Sequence, residues 1–154
     1  MKNLLVPIGS MEDGKNNLQY AVNLAAISGA RVYLVSLYKE FSKVAGLTKV
    51  NKLMMQDSEV MLNDLLSQVD VRGVEVLTKS IKGDAYESIQ RLTNQLDIDL
   101  LILSPKSVDK NSQLYLGSVT GKIVKQMDVP ILIVPKTYLF RKTETILLAF
   151  KRGY

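Results

Sequence analysis

Short apolar runs alternate along this chain with segments of helical spacing, and that alternation limits the fold more than any other feature. The runs are Asn3–Ile8 (NLLVPI), Arg31–Tyr38 (RVYLVSLY), Gly73–Ser80, Leu100–Leu103 (LLIL) and Ile131–Val134 (ILIV). Each has the length of a strand, and their Val, Ile and Tyr content suits a pleated surface. Pro7 falls near the end of its run, where a missing ladder donor does least harm. Between the runs, Leu18, Ala21, Val22 and Ala25 repeat at helical spacing, with Gly29 placed to close that helix. A long amphipathic helix is predicted from about Lys49 to Val69, its apolar positions including Val50, Leu53, Met54, Met61 and Leu65. Asp84 and Glu87 have the spacing of a capping box at the head of a helix carrying Ala85, Ile89, Leu92 and Leu96. Gly9–Gly14 and Lys39–Leu47 are expected as loops.

Strands alternating with helices imply a parallel sheet with right-handed crossovers. The predicted fold class is therefore α/β: a three-layer α/β/α sandwich around a five-stranded parallel sheet. The order 3-2-1-4-5 would set the first and fourth strands side by side and bring the loop at Gly9 against the loop at Ser104.

Composition excludes several chemistries. The 154 residues suit one domain, and the chain has neither cysteine nor histidine. Disulfides, thiolate metal sites and the commonest general base are thereby absent, and no zinc site is expected. The longest apolar runs fall far short of the roughly 20 residues that a membrane span needs. Met1-Lys2 leads directly into a strand-like run, so a cytoplasmic protein without a signal peptide is expected. The net charge of +5 is concentrated after Pro135, where Lys136, Arg141, Lys142, Lys151 and Arg152 oppose Glu144 alone. With a body close to neutral, a nucleic-acid partner is not expected. A body domain of residues 1–136 and a basic tail of 137–154 follow. The tail's Thr145–Phe150 run reads as an added edge strand, a swapped strand or the start of a second domain.

The stretch from Asp99 to Pro135 carries most of the functional signal. A strand stops at Ser104-Pro105, a polar segment follows, and Gly117-Ser118 opens a helix carrying Val119, Ile123, Val124 and Met127 before the last strand. The crevice at the carboxyl ends of parallel strands is where open α/β sheets bind ligands. A helix N-terminus there offers free N–H groups to an anion. Ser118 also has the bland role of capping its helix.

From about Lys2 to Pro135 the chain resembles the universal stress protein family. The resemblance is carried in order by Leu4-Leu5-Val6-Pro7, Ala21-Val22-Asn23-Leu24-Ala25 and Gly29-Ala30-Arg31-Val32. Gly83-Asp84, Asp97-Ile98-Asp99-Leu100-Leu101-Ile102, Gly117-Ser118-Val119-Thr120 and Val129-Pro130-Ile131-Leu132-Ile133-Val134-Pro135 continue it. It implies a Rossmann-like sandwich of the adenine-nucleotide α-hydrolase type. In the family's ATP-binding branch the long loop reads G-x-x-G, nine residues, then G-[S/T]. Here Gly117 and Ser118 are retained, both earlier glycines are serines, Ser104 and Ser107, and Gly9 stands where the family carries an aspartate. A nucleotide held as the resemblance implies would meet Pro7, Ile8, Gly9, Leu37, Leu103, Ser104, Ser107, Gly117, Ser118, Val119 and Thr120.

The substitutions have a physical cost. Serine penalises a left-handed backbone by about 1–2 kcal/mol per position. Pro105 removes a donor and restricts Ser104 to extended conformations. Lys106 and Lys110 supply compensating charge, and the hydroxyls of Ser104, Ser107 and Ser112 supply donors. The expected function is a stress-response module, not an enzyme, acting as a dimer or tandem pair without a productively bound cofactor. The resemblance places the dimer contact on the last strand, Ile131, Leu132, Ile133 and Val134. An ATP-binding or adenine-nucleotide-binding regulator of the same family stays open as the alternative.

Overall fold

A computed structural model of the chain describes residues 1–9, 11–38, 47–105 and 118–147. Five strands and four helices alternate in them: β1 (Asn3–Ile8), α1 (Met11–Ser28), β2 (Arg31–Tyr38), α2 (Leu47–Ser67), β3 (Val76–Lys82), α3 (Ala85–Gln95), β4 (Leu100–Leu103), α4 (Ser118–Gln126) and β5 (Ile131–Ile133). All pairings are parallel, and the sheet order is β3-β2-β1-β4-β5, as the sequence predicts.

Two apolar clusters sandwich the sheet. Leu4, Val6, Ile8, Val32 and Leu34 face Leu18, Val22, Leu62 and Leu65 of α1 and α2. Leu5, Val35, Ile81, Leu101 and Leu103 pack instead with Ile89 and Leu92 of α3 and Ile123 of α4. Alternate residues of β1 thus serve opposite layers, the period of a strand buried on both sides. Leu4, Leu5, Leu101 and Ile123 are completely buried.

The capping signals hold. The Asp84 carboxylate accepts from the Glu87 N–H at 3.0 Å and starts α3. Gly29 closes α1 in the left-handed region at φ 73°. Its N–H donates to the Ala25 carbonyl at 2.8 Å.

Two expectations are corrected. The Gly9–Gly14 stretch is not a loop throughout, because α1 begins at Met11 and Gly14 lies inside it. A Cβ on Gly14 would come within 2.8 Å of Leu65 Cδ1 and 3.3 Å of Ile8 Cγ2, so the glycine serves close packing of α1. The third strand starts at Val76 instead of Gly73, because Arg72 (φ 49°) and Gly73 (φ 75°) form a left-handed turn. That turn is closed by the bond from the Val74 N–H to the Val71 carbonyl.

Over its described residues, 136–147, the tail forms no strand of the sheet. It instead lays Phe140 edge-on against Tyr20 of α1 at 5.1 Å, with Tyr138 at 6.2 Å from the same ring. Burial, and next Tyr138, push the Tyr20 phenol above its ordinary pKa. Leu148–Tyr154, including the end of the predicted Thr145–Phe150 run, lie outside the described residues.

At the amino-terminal edge of the sheet, Asp99 latches the chain start. Its Oδ2 accepts from the Lys2 N–H at 2.7 Å and the Asn3 N–H at 2.9 Å. Those two bonds, that from Lys2 foremost, hold its carboxyl below the ordinary range. The latch therefore contributes above the usual carboxylate pKa and is lost as pH falls through the depressed value.

Candidate functional site

Strands β1 and β4 lie side by side, but their pairing is brief. β1 pairs with β2 as far as Ile8 and Ser36, and β4 pairs with β5 as far as Leu103 and Ile133. Between β1 and β4 the register covers only Leu4 with Leu100 and Leu5 with Leu101. Beyond these pairs the two central strands part. The connection from β1 goes to α1 on one layer and that from β4 goes to α4 on the other, which makes this divergence the topological switch point.

The predicted residues distribute around the opening. Ile8 is buried toward α1, whereas Leu103 and the half-buried Leu37 pack on the α3–α4 layer. Pro7 and Thr120 are half-buried, and Gly9 and Val119 are exposed. Ser118 begins α4. Ser107 and Gly117, with Lys106, Lys110 and Ser112, lie outside the described residues.

Ser104 is the most informative of them. It follows Ile102 by two residues and so returns to the α1 layer, where its Oγ accepts a hydrogen bond from Asn17 Nδ2 at 2.5 Å. Asn17 is 2% exposed, and its Oδ1 has no hydrogen-bond partner among the described residues. Rotating the carboxamide by half a turn would let Ser104 donate to the oxygen and would strand the nitrogen instead, so one amide atom stays unpaired either way. Next along the helix, Asn16 Nδ2 donates to the Pro135 carbonyl at 3.1 Å and ties α1 to the chain leaving β5. The sequence reading missed Asn17, although its position was legible: it falls four residues before Ala21 on the buried stripe of α1.

The pair at the switch point is neutral. An amide and a hydroxyl orient a ligand or each other but do not trade protons near neutral pH. Among the described residues no group of three or more acidic, histidine or cysteine side chains is placed to hold a metal ion. No described helix is long and apolar enough to cross a membrane. One large cleft lies at the opposite end of the sheet, about 700 Å³ between Lys2, Gly29, Arg31, Arg72 and Glu75. There the Arg31 guanidinium meets the Glu75 carboxylate at 3.4 Å.

A doubly wound parallel sheet that opens between its first and fourth strands defines a Rossmann-like α/β protein. Within that class the chain belongs to the universal stress protein family, whose sequence profile matches residues 1–135. Universal stress protein MJ0531 of Methanocaldococcus jannaschii is 21% identical over 141 residues, covering 88% of this chain and 82% of that protein. The structure of universal stress protein UspA from Lactobacillus plantarum superposes with a TM-score of 0.72 at 19% identity, over 86% of this chain and 97% of that one. A universal stress protein in complex with cAMP superposes at 0.68 with 17% identity, over 86% and 96% of the two chains.

Proposed function

We propose that this chain is a stress-response module of the universal stress protein family that acts as a pair of chains and does not hold a nucleotide productively. One observation carries the reading: the end of β4 is committed to the protein itself. Where the family resemblance puts a bare glycine, the Ser104 oxygen accepts from Asn17, and Pro105 follows with no N–H to offer. The missing carboxylate at Gly9 works in the same direction. Titrating the purified protein with ATP and magnesium in a calorimeter tests this. No heat is expected at millimolar nucleotide, and a saturable isotherm would overturn the reading.

The pairing half of the proposal rests on the two sheet edges. β3 ends the sheet on one side with exposed Lys79 and Lys82, charges of the kind that keep an edge from recruiting another strand. β5 ends it on the other side with Ile131, Leu132 and Ile133, none fully buried and none charged. Pro130 and Val134 turn their backbone groups to β4, through the bonds from Leu101 N–H to the Pro130 carbonyl and from Val134 N–H to the Leu103 carbonyl. By alternation Leu132 does the same, while Ile131 and Ile133 turn their N–H and C=O groups to the open edge. Ile133→Pro therefore deletes an outward donor and leaves the inner ladder whole. Light scattering should show this variant with half the mass of the wild type at an unchanged circular dichroism spectrum. An unchanged mass would remove β5 as the contact.

The second reading, an adenine-nucleotide-binding regulator, is favoured by the structural relative bound to cAMP. It makes the same calorimetric experiment decisive.

A further inference from the structure

The outer face of α2 carries apolar residues without a described cover. Ser58, Leu62 and Leu65 turn one side of the helix into the core. At 100° per residue, Leu53 and Val60 fall on the opposite side, two turns apart on a single line. Both are 57% exposed.

The charges of α2 run against its own dipole. Lys49 and Lys52 sit in the amino-terminal half, Asp57 at the middle, and Glu59 and Asp64 in the carboxyl-terminal half. The first turn holds no acid and the last turn no base. A lone helix prefers the reverse, with acids near its N-terminus and cations near its C-terminus. The arrangement does suit an antiparallel partner with the same sequence. Superposing Leu53 of one helix on Val60 of the other, and the converse, places Lys49 of each opposite Asp64 of the other. Both of those residues are exposed and lie beside the apolar line. In that register one displacement satisfies the apolar and the charged pairs together, and the two helix dipoles oppose.

We infer that α2 is a self-association face that docks antiparallel on α2 of a second copy of this chain, with Leu53 and Val60 as its seam and Lys49 with Asp64 as its flanking ion pairs. Leu53 and Val60 lie about 10 Å apart along the helix axis. The contact is separate from the β5 edge and does not depend on the pairing proposed there. Asp57 lies near the two-fold axis, close to its own copy, so it works against the pair.

Sedimentation velocity on the full chain over a wide concentration range tests the contact. The wild-type sedimentation coefficient should rise with concentration. Leu53→Glu should weaken this step by about tenfold or more and halve the mass of the largest assembly. Lys49→Asp should weaken it as well, Lys49→Asp with Asp64→Lys should restore it, and Asp57→Asn should tighten it. These positions are exposed, and circular dichroism checks that each variant is folded. A wild-type mass that does not depend on concentration, an indifferent Leu53→Glu, or a charge swap without rescue would overturn the proposal. Repeating the series in Ile133→Pro separates the two contacts: failure of the β5 contact leaves the response to Leu53→Glu intact, and failure of the α2 contact leaves the response to Ile133→Pro intact.

Discussion

Asn17→Asp is expected to lower the stability of the protein by about 3–5 kcal/mol at neutral pH, the usual cost of an uncompensated buried charge. The site is 2% exposed, and among the described residues the only partner its side chain has is Ser104. An aspartate there loses both N–H donors. Ser104 can turn to donate to one carboxylate oxygen, but the other stays as bare as Asn17 Oδ1 is now. Burial would raise the folded-state pKa of the new carboxyl above its unfolded value of about 3.9. The deficit is therefore complete above the raised pKa and fades as pH falls toward the unfolded value, below which the group is neutral in both states. Urea melts of variant and wild type at neutral pH and near pH 4 should show the gap closing. Asn17→Leu is the control. It removes the unpaired amide atom and leaves the half-buried Ser104 open to water, so its stability should stay close to that of the wild type.

The central strands were legible because burial on two sides decided their composition, whereas the order of the sheet followed from doubly wound topology and not from periodicity. Leu100–Leu103 and Asn3–Ile8 read as unbroken apolar runs for the same reason that they occupy the middle of the sheet. The ends of elements were harder. Gly73 looked like the first residue of a strand, but with Arg72 it forms a left-handed turn that delays pairing to Val76. Gly14 looked like loop punctuation, but its lack of a side chain answers to Leu65, fifty-one positions away along the chain. Tertiary closeness of that kind leaves no local trace. Asn17 was the reverse case: its place on the apolar stripe of α1 was open to a reading that missed it, and only the structure gave it a partner in Ser104. Of the candidate site, Ile8, Leu37 and Leu103 lie at or near the carboxyl ends of β1, β2 and β4, and Ser104 directly follows β4. The sequence could not tell that Ser104 and Leu103 serve opposite layers, since that depends on which helix covers which face.

If backbone bulk and one missing carboxylate are what keep nucleotide out, restoring them should create a binding protein. The triple variant Gly9→Asp, Ser104→Gly, Ser107→Gly is expected to give a saturable calorimetric isotherm with ATP and magnesium where the wild type gives none. Each serine removed relieves about 1–2 kcal/mol if its backbone must turn left-handed around a phosphate. Two of them correspond to roughly 30- to 1,000-fold in affinity. Gly9 tolerates its replacement, because it is exposed, has no atom of the described residues within 4 Å of an added Cβ, and does not adopt a left-handed φ. Ser104→Gly also frees Asn17, so adding Asn17→Ala should raise the affinity further if the amide competes for the same ground. The double serine variant without Gly9→Asp separates the two causes: an isotherm there assigns the block to loop sterics alone, and heat only in the triple variant assigns the larger share to the carboxylate. Silence in all of them, with folding intact, would place the block outside these three positions and remove the end of β4 as the reason nucleotide is refused.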